Sequence, residues 1–316
     1  MRIVFMGSAE LACCSLKALL AAGRDEVALV VTQPPRPKGR SLQTTPCPVD
    51  NSARAAGLNV ITPVNVNVPE VVSQIAAIRP EILVVIAYGQ ILRRALLDIP
   101  PLGSVNIHAS LLPKYRGAAP IEWAIVNGEQ VTGVTAMFMA ERMDAGDIIL
   151  TQEVSIAADD TAGALHDRLA VVGAGTLIKV LDLCRAGNAP RRPQDESART
   201  LAPKLRKEDG RIDWTQPAQK LYDRIRGFNP RPGCFCMVQH FEGTTQTLRV
   251  LKSAVVAGDA AGSTPGQVLA ADAHGLTVQT GRNRLRLLQV QPEGRSAMTG
   301  GAYVCGHHIK PGSRLM

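Results

Sequence analysis

Short runs of apolar residues alternate with amphipathic stretches over the first half of the chain. The runs are rich in Val, Ile and Leu, and the stretches between them repeat apolar positions at the spacing of a helix. The predicted strands are residues 3–6, 27–32, 59–61, 82–87 and 103–108, and the predicted helices are residues 9–23, 49–56, 69–78 and 118–126, with Ser8 as the cap of the first helix. Continuous apolar strands separated by helices are typical of a parallel sheet covered on both faces. The pattern therefore predicts an α/β fold with a Rossmann-like, mostly parallel sheet.

Two further β-rich stretches and one long helix complete this first part. Residues 133–139 and 148–154 are predicted strands on either side of a tight connection. Thr161 is the predicted cap of a helix that runs to residue 183 with leucines recurring on one side. We expect residues 1–189 to form one domain.

The pattern changes after Gly187. Residues 190–207 contain three prolines and mixed charges without periodicity, which indicates a linker. Beyond it, one helix is predicted at residues 218–226 among short alternating strands. The predicted strands are residues 234–240, 247–251, 267–270, 276–280 and 284–290. Glycine-rich turns between short strands favour a small OB-like β-barrel at residues 208–316.

Composition narrows the class of protein. Of the 316 residues, 46% are hydrophobic and 20% are charged, which excludes a mainly disordered chain. We find neither an apolar run of about 18 residues nor a segment that fits a signal peptide, so we expect a soluble cytoplasmic protein. The seven cysteines contain no C-x-x-C spacing, and we predict no metal site. No exposed apolar stripe indicates an obligate dimer, so a monomer is expected.

Positive charge is concentrated in the second part of the chain. Residues 1–189 hold 16 lysines and arginines against 17 acidic residues, whereas residues 190–316 hold 19 against 10. Such asymmetry is typical of a region that holds a polyanion. A solvated basic surface explains the same charge, and the charge by itself does not decide between the two.

Two polar residues lie at the end of a predicted strand. Asn106 and His108 are two positions apart, so their side chains share one face at the carboxyl edge of the sheet, where open α/β sheets bind ligands. An amide donor and an imidazole suit acyl transfer, because one can hold an oxyanion while the other moves a proton. The alternative is that both bind loop backbone. The first glycine turn, at residues 7–10, lacks G-x-G-x-x-G, so a nicotinamide cofactor has little support.

The residues after this strand resemble a known enzyme family. Residues 108–113 read His-Ala-Ser-Leu-Leu-Pro and residues 116–120 read Arg-Gly-Ala-Ala-Pro, a pair similar to the motif of the 10-formyltetrahydrofolate-dependent formyltransferases. Residues 139–147 resemble the loop that carries an aspartate beside the catalytic histidine of that family. Further similar blocks follow in the family's order at residues 2–7, 87–92, 159–163, 207–214 and 230–233.

The resemblance implies a reaction and a set of site residues. It implies transfer of the formyl group of 10-formyltetrahydrofolate, as a co-substrate, to the α-amine of methionyl-initiator tRNA. Asn106, His108 and Asp144 take the catalytic positions. The stretch expected to hold the folate is Ser110, Leu111, Leu112 and Pro113.

The loop at residues 33–48 is the part that the resemblance places at the acceptor end of tRNA. Lys38 and Arg40 are the expected phosphate contacts. Leu42 and Gln43 stand where the resemblance leads us to expect two lysines. Five prolines in this loop predict an absence of regular structure.

Two other functions compete with this one. A formyltransferase for a small amine, such as a sugar nucleotide or glycinamide ribonucleotide, would use the same three catalytic residues but would have no use for a basic C-terminal half. A non-catalytic RNA-binding protein would not need Asn106, His108 and Asp144 together.

Overall fold

The computed structural model describes residues 1–38, 43–239, 245–307 and 309–316, and the side chains of Lys38 and Gln43 lie outside that description. The chain forms two compact units, neither of them continuous in sequence. The first comprises residues 1–120, 131–155 and 166–202, and the second comprises residues 121–130, 156–165 and 203–316. Residues 190–202, which we expected to be part of a linker, thus belong to the first unit.

The strands are numbered in chain order. They are β1 (Arg2–Gly7), β2 (Glu26–Val31), β3 (Arg36–Lys38), β4 (Gln43–Thr45), β5 (Val60–Ile61), β6 (Ile82–Ile86), β7 (Ser104–His108), β8 (Arg116–Gly117), β9 (Val131–Phe138), β10 (Ile148–Ser155), β11 (Leu201–Ala202), β12 (Cys234–Gln239), β13 (Thr245–Val256), β14 (Val268–Asp272), β15 (Gly275–Gln279), β16 (Arg284–Pro292) and β17 (Met298–Thr299).

The helices are numbered in the same way. They are α1 (Glu10–Ala22), α2 (Pro48–Ala55), α3 (Pro69–Ala77), α4 (Arg94–Leu97), α5 (Pro120–Val126), α6 (Ala162–Arg185), α7 (Ala218–Gly227) and α8 (Gly300–His307), with short 3-10 turns at Glu196–Ala198 and Lys207–Gly210.

The first unit is built on a seven-stranded sheet in the order β10-β9-β7-β6-β1-β2-β5. The five strands from β7 to β5 in this order run parallel. β9 pairs antiparallel with β7, and β10 pairs antiparallel with β9. β6 is buried at every position because helices and loops cover both faces, as its continuous apolar sequence predicts. A mixed α/β fold with a mainly parallel sheet is therefore confirmed.

Two predictions about helix starts have different outcomes. Thr161 caps α6 as expected, because its hydroxyl accepts a hydrogen bond from the backbone N–H of Ala164. Ser8 does not cap α1, whose N-cap is Ala9. The Ser8 hydroxyl instead donates to the backbone carbonyl of Tyr88 and accepts from the backbone N–H of Gln33, so it joins the ends of β1, β2 and β6.

The proline-rich loop contains more regular structure than we predicted. β3 and β4 pair antiparallel within it, with Arg36 opposite Thr45. The expectation of no regular structure at residues 33–48 is wrong in this respect, because a proline at an edge position interrupts a strand pair without abolishing it.

The second unit holds an antiparallel sheet in the order β12-β13-β16-β15-β14, with β17 paired to β16. Within the described residues these strands do not close into a barrel, so the predicted OB-like barrel is not confirmed. The C-terminal residues bond to both ends of the sheet: Met316 exchanges two backbone hydrogen bonds with Met237 on β12, and Leu315 donates to Gly266 before β14. We missed α8, because its sequence starts with two glycines, which are poor helix formers.

In the part of the chain that the structure describes, no helix is both long and apolar enough to cross a membrane.

Candidate active site

β7 presents two of the predicted catalytic residues at the carboxyl edge of the sheet. The strand is held between β6 and β9, with Asn106 opposite Val85 on one side and Met137 on the other. Asn106 and His108 therefore share one face. The Asn106 side chain is half-buried and makes no hydrogen bond with any described residue, so its amide N–H₂ is free to donate to a ligand.

The imidazole of His108 is buried and has a defined orientation. Its Nε2 lies 2.9 Å from the backbone carbonyl oxygen of Tyr115. Because a carbonyl oxygen only accepts, Nε2 carries the hydrogen, and Nδ1 is the nitrogen that gains or loses a proton. Nδ1 lies 3.8 Å from Oδ1 of Asp144. The ring can thus exchange a proton on the side that faces the carboxylate.

Asp144 is brought to this position by an unusual backbone conformation. Its φ is +51°, in the left-handed region that non-glycine residues rarely adopt. The side chain is largely buried, and Oδ2 accepts a hydrogen bond of 2.9 Å from the backbone N–H of Gly117. The structure thus brings together the histidine and the aspartate that are 36 positions apart in sequence.

The four residues expected to hold folate divide into two kinds. The Ser110 hydroxyl is fully buried and donates to the backbone carbonyl of Lys114, while Leu112 is buried and its backbone N–H donates to the Thr135 hydroxyl. Leu111 and Pro113 are half-buried. Ser110 and Leu112 therefore shape the loop, and Leu111 and Pro113 offer surface to a ligand.

A cavity of about 550 Å³ lies in the first unit, lined by residues before and at the start of β7 and by residues at and after the end of β9. Its lining includes the apolar side chains of Leu97, Phe138 and Met139 and four charged residues. Those charged residues are Arg94, Asp98, Glu141 and Arg191. Polar and apolar groups both line the cavity, so it suits a ligand that has ring surface as well as hydrogen-bonding groups.

Three side chains that support the site were missed from sequence. The guanidinium of Arg116 is buried and donates to the Oε1 of Gln194 and to the carboxylate of Glu196. Gln194 in turn donates to backbone carbonyls of the loop that carries Asp144. Arg116 belongs to the motif at residues 116–120 and could have been suspected, whereas Gln194 and Glu196 lie in a stretch without periodicity.

Two predicted contacts with tRNA are not described. Arg40 lies outside the described residues, as does the side chain of Lys38, while the backbone of Lys38 belongs to β3. Among the described residues, no group of three or more His, Cys, Asp or Glu side chains could hold a metal ion.

Glu196 should contribute to stability in a pH-dependent way. Hydrogen bonds from Arg116 and Arg142 lower the pKa of this carboxyl from 4.5 to about 2. Because the pKa is lower in the folded state, the stabilisation is present above about pH 4.5 and is lost as the pH falls through about 2. Urea unfolding of the wild type and of Glu196→Gln should differ in midpoint at pH 7 by a small amount, since the carboxylate is half-exposed. That difference should shrink towards pH 2, and an equal difference at both pH values would contradict the ion pairing.

The fold brings an amide donor, an imidazole and a carboxylate to the edge of the sheet, an arrangement that suits group transfer. A family model described as formyl transferase matches residues 1–181, and a second, described as formyl transferase, C-terminal domain, matches residues 204–308. The chain therefore belongs to the formyltransferase family.

Relatives along the whole length are named methionyl-tRNA formyltransferase. That of Moorella thermoacetica is 46% identical over 315 residues, covering 100% of this chain and 99% of the relative. That of Geotalea uraniireducens is 44% identical, again with 100% of this chain and 98% of the relative covered.

Solved structures share the fold at lower identity. HypX from Aquifex aeolicus in complex with tetrahydrofolic acid has a TM-score of 0.63 and 17% identity, covering 96% of this chain and 47% of that protein. Glycinamide ribonucleotide transformylase 1 from Symbiobacterium toebii has a TM-score of 0.52 and 23% identity, covering 62% of this chain and 94% of that protein.

Proposed function

We propose that the protein transfers the formyl group of 10-formyltetrahydrofolate to the α-amine of methionyl-initiator tRNA, giving N-formylmethionyl-tRNA for translation initiation. The observation that carries this proposal is the full-length similarity, at 46% identity, to a methionyl-tRNA formyltransferase. The buried pair of His108 and Asp144 beside the free amide of Asn106 supports it independently.

The chemistry of formyl transfer to an amine suits Asn106, His108 and Asp144. The amine attacks the formyl carbon as a free base, and negative charge develops on the formyl oxygen of the tetrahedral intermediate. The intermediate collapses when the bond between the formyl carbon and N10 of the folate breaks, and the proton that the amine loses passes to N10. The Asn106 amide can donate to that oxygen, as an oxyanion-hole donor does. His108 has one exchangeable nitrogen, Nδ1, with which to hold or move a proton. Asp144, whose Oδ1 lies 3.8 Å from that nitrogen, can orient the imidazole and pass the proton on through a shared water.

We infer that the folate is held by the half-buried Leu111 and Pro113 and by the cavity near Met139. Leu97, Phe138 and Met139 provide apolar walls, and Asp98 and Glu141 provide acceptors for ring amino groups. The cavity and the three catalytic residues belong to the same compact unit.

The cavity assignment predicts a selective defect. Ala140 lines the cavity and is exposed, so Ala140→Phe adds a ring there without removing a buried contact. Its KM for 10-formyltetrahydrofolate should rise about tenfold or more, the cost of roughly 1.4 kcal/mol of binding, while the KM for the charged tRNA stays within about twofold. Ala186→Phe, another exposed alanine of the same unit, is the matched control and should change neither constant. Equal KM values for the folate in Ala140→Phe and the wild type would refute the assignment.

We infer that the tRNA is held by the basic second unit. Four exposed cations lie on two adjoining segments: Arg206, Lys207, Arg211 and Arg231. The segments meet because Gly210 packs against Gly233 and the backbone N–H of Ile212 donates to Phe235. In the described part of the chain none of the four has an ion-pair partner, so all are available to phosphates. We refer to these four residues as the basic cluster.

The tRNA proposal extends to Lys38 and Arg40, which we infer to contact phosphates of the acceptor end. The same proposal includes a monomer in the cytoplasm whose second unit has an OB-like arrangement of strands. A formyltransferase for a small amine would have no use for the basic cluster, and a non-catalytic RNA-binding protein would have no use for the His108–Asp144 pair.

A further inference from the structure

The side chain of Gln194 makes two hydrogen bonds to the loop that carries Asp144. The Nε2 of Gln194 donates to the backbone carbonyl of Asp144 at 2.9 Å and to that of Gly146 at 2.8 Å. The first of these carbonyls belongs to Asp144 itself, whose left-handed conformation is costly for a residue with a Cβ. Gly146 packs so closely on β9 that a Cβ there would collide with the carbonyl oxygen of Phe138. The loop therefore needs an external partner to keep this shape.

The Gln194 amide can take only one orientation. Its Oε1 accepts two hydrogen bonds from Arg116, at 3.1 Å from Nε and 2.7 Å from Nη2. A guanidinium only donates and a backbone carbonyl only accepts, so the oxygen must face Arg116 and the N–H₂ must face the loop. The buried Arg116 is in turn held by Glu196, which also accepts from Arg142 in the loop itself.

Arg116 stands between the two backbone groups that contact the catalytic side chains. The carbonyl of Tyr115, before it, accepts from His108, and the N–H of Gly117, after it, donates to Asp144. One fixed segment thus holds the histidine, and through Gln194 it also holds the loop that carries the aspartate.

We propose that Gln194 and Arg116 are positioning residues that set the separation of His108 and Asp144 during formyl transfer. The proposal rests on the proposed function of that pair. Neither residue needs to touch a substrate, because each acts through the backbone that orients a catalytic group. A misplacement of about 1 Å in such a group can lower a rate by about 10²-fold.

The variant Gln194→Glu keeps the contact with Arg116 and removes the hydrogen bonds to the loop. It keeps a side chain of the same length and a stronger partner for Arg116, but it turns an oxygen towards the carbonyls of Asp144 and Gly146. We expect kcat to fall about 10²-fold, with the KM values for 10-formyltetrahydrofolate and methionyl-tRNA within about threefold of the wild type. Gln194→Met also lacks the N–H donor but adds no charge. It too should lower kcat while leaving both KM values within about threefold of the wild type. Gln152→Glu is the matched control, since that glutamine contacts Lys179 rather than the loop, and its kcat should not change.

A double-variant cycle distinguishes positioning from general destabilisation. In an Asp144→Asn background, Gln194→Glu should lower kcat by less than about threefold further. Gln194 acts by positioning the carboxylate of Asp144, and that carboxylate is already absent in this background. If Asp144→Asn lowers kcat strongly and Gln194→Glu multiplies that loss by its full effect, the positioning proposal is overturned and the proposed function stands. If Asp144→Asn leaves kcat unchanged, the catalytic role of Asp144 is wrong and the positioning proposal fails with it.

Discussion

Replacing Asn106 with alanine should lower kcat by roughly 10²–10³-fold, the usual cost of removing one oxyanion donor. The Asn106 amide is half-buried and has no hydrogen-bond partner among the described residues, so the wild-type donor is ready before the substrate arrives. The loss should fall on kcat, because the oxygen that it binds carries full charge only in the transition state.

Two further variants test whether the N–H₂ donor of Asn106 is the group that matters. Asn106→Asp has nearly the same shape but lacks the N–H₂ donor and adds negative charge, so its kcat should be no higher than that of Asn106→Ala. Asn51→Ala, at an exposed position of α2 in the same unit, should leave kcat unchanged. The measurements are steady-state kinetics and tRNA binding of each variant. A decrease in kcat of less than about threefold for Asn106→Ala would show that the amide does not hold the oxyanion.

The affinity for tRNA should depend steeply on salt. If six to ten phosphates are neutralised, the association constant should fall by about 10³–10⁵-fold between 50 and 200 mM salt. We expect residues 190–316 to cause this salt dependence, because they hold 19 lysines and arginines against 10 acidic residues.

Charge reversal in the basic cluster tests where the phosphates bind. Lys207→Glu together with Arg231→Glu should lower the slope of log affinity against log salt by up to about two, because each lost phosphate contact contributes at most about 0.9. Lys179→Glu on α6 makes a charge change of the same kind in the first unit, and its slope should equal that of the wild type. A salt-independent affinity, or equal slopes for the cluster variant and the wild type, would show that the basic cluster does not hold tRNA.

Local sequence was sufficient for the sheet but not for every element. β6 was predictable because a short apolar run rich in Val and Ile is typical of a strand covered on both faces. Asn106 and His108 could be placed together because strand periodicity puts residues two apart on one face. α8 could not be found, since its glycines are tolerated only by tertiary packing: Gly300 and Gly301 lie against the carbonyl oxygens of Leu287 and Ala273.

The support of the site depends on contacts distant in sequence. Gln194 reaches the carbonyls of residues 48 and 50 positions away, and Thr200 fixes the backbone N–H of Tyr115 from 85 positions away. No local pattern marks such residues, because a polar side chain in a proline-rich stretch looks the same whether it faces solvent or a buried loop. Ser8 illustrates the reverse case. Its sequence suits a helix cap, but its hydroxyl is used to join three strand ends.

The most direct test of the proposed function is an acceptor competition. The purified protein is incubated with 10-formyltetrahydrofolate and one of three acceptors: methionyl-initiator tRNA, an amino-sugar nucleotide or glycinamide ribonucleotide. Formylated product is then measured for each acceptor. We expect rapid formation of N-formylmethionyl-tRNA and negligible formylation of both small amines. Formylation of a small amine at a higher kcat/KM than the charged tRNA, or no formyl transfer to any of the three, would contradict the proposal.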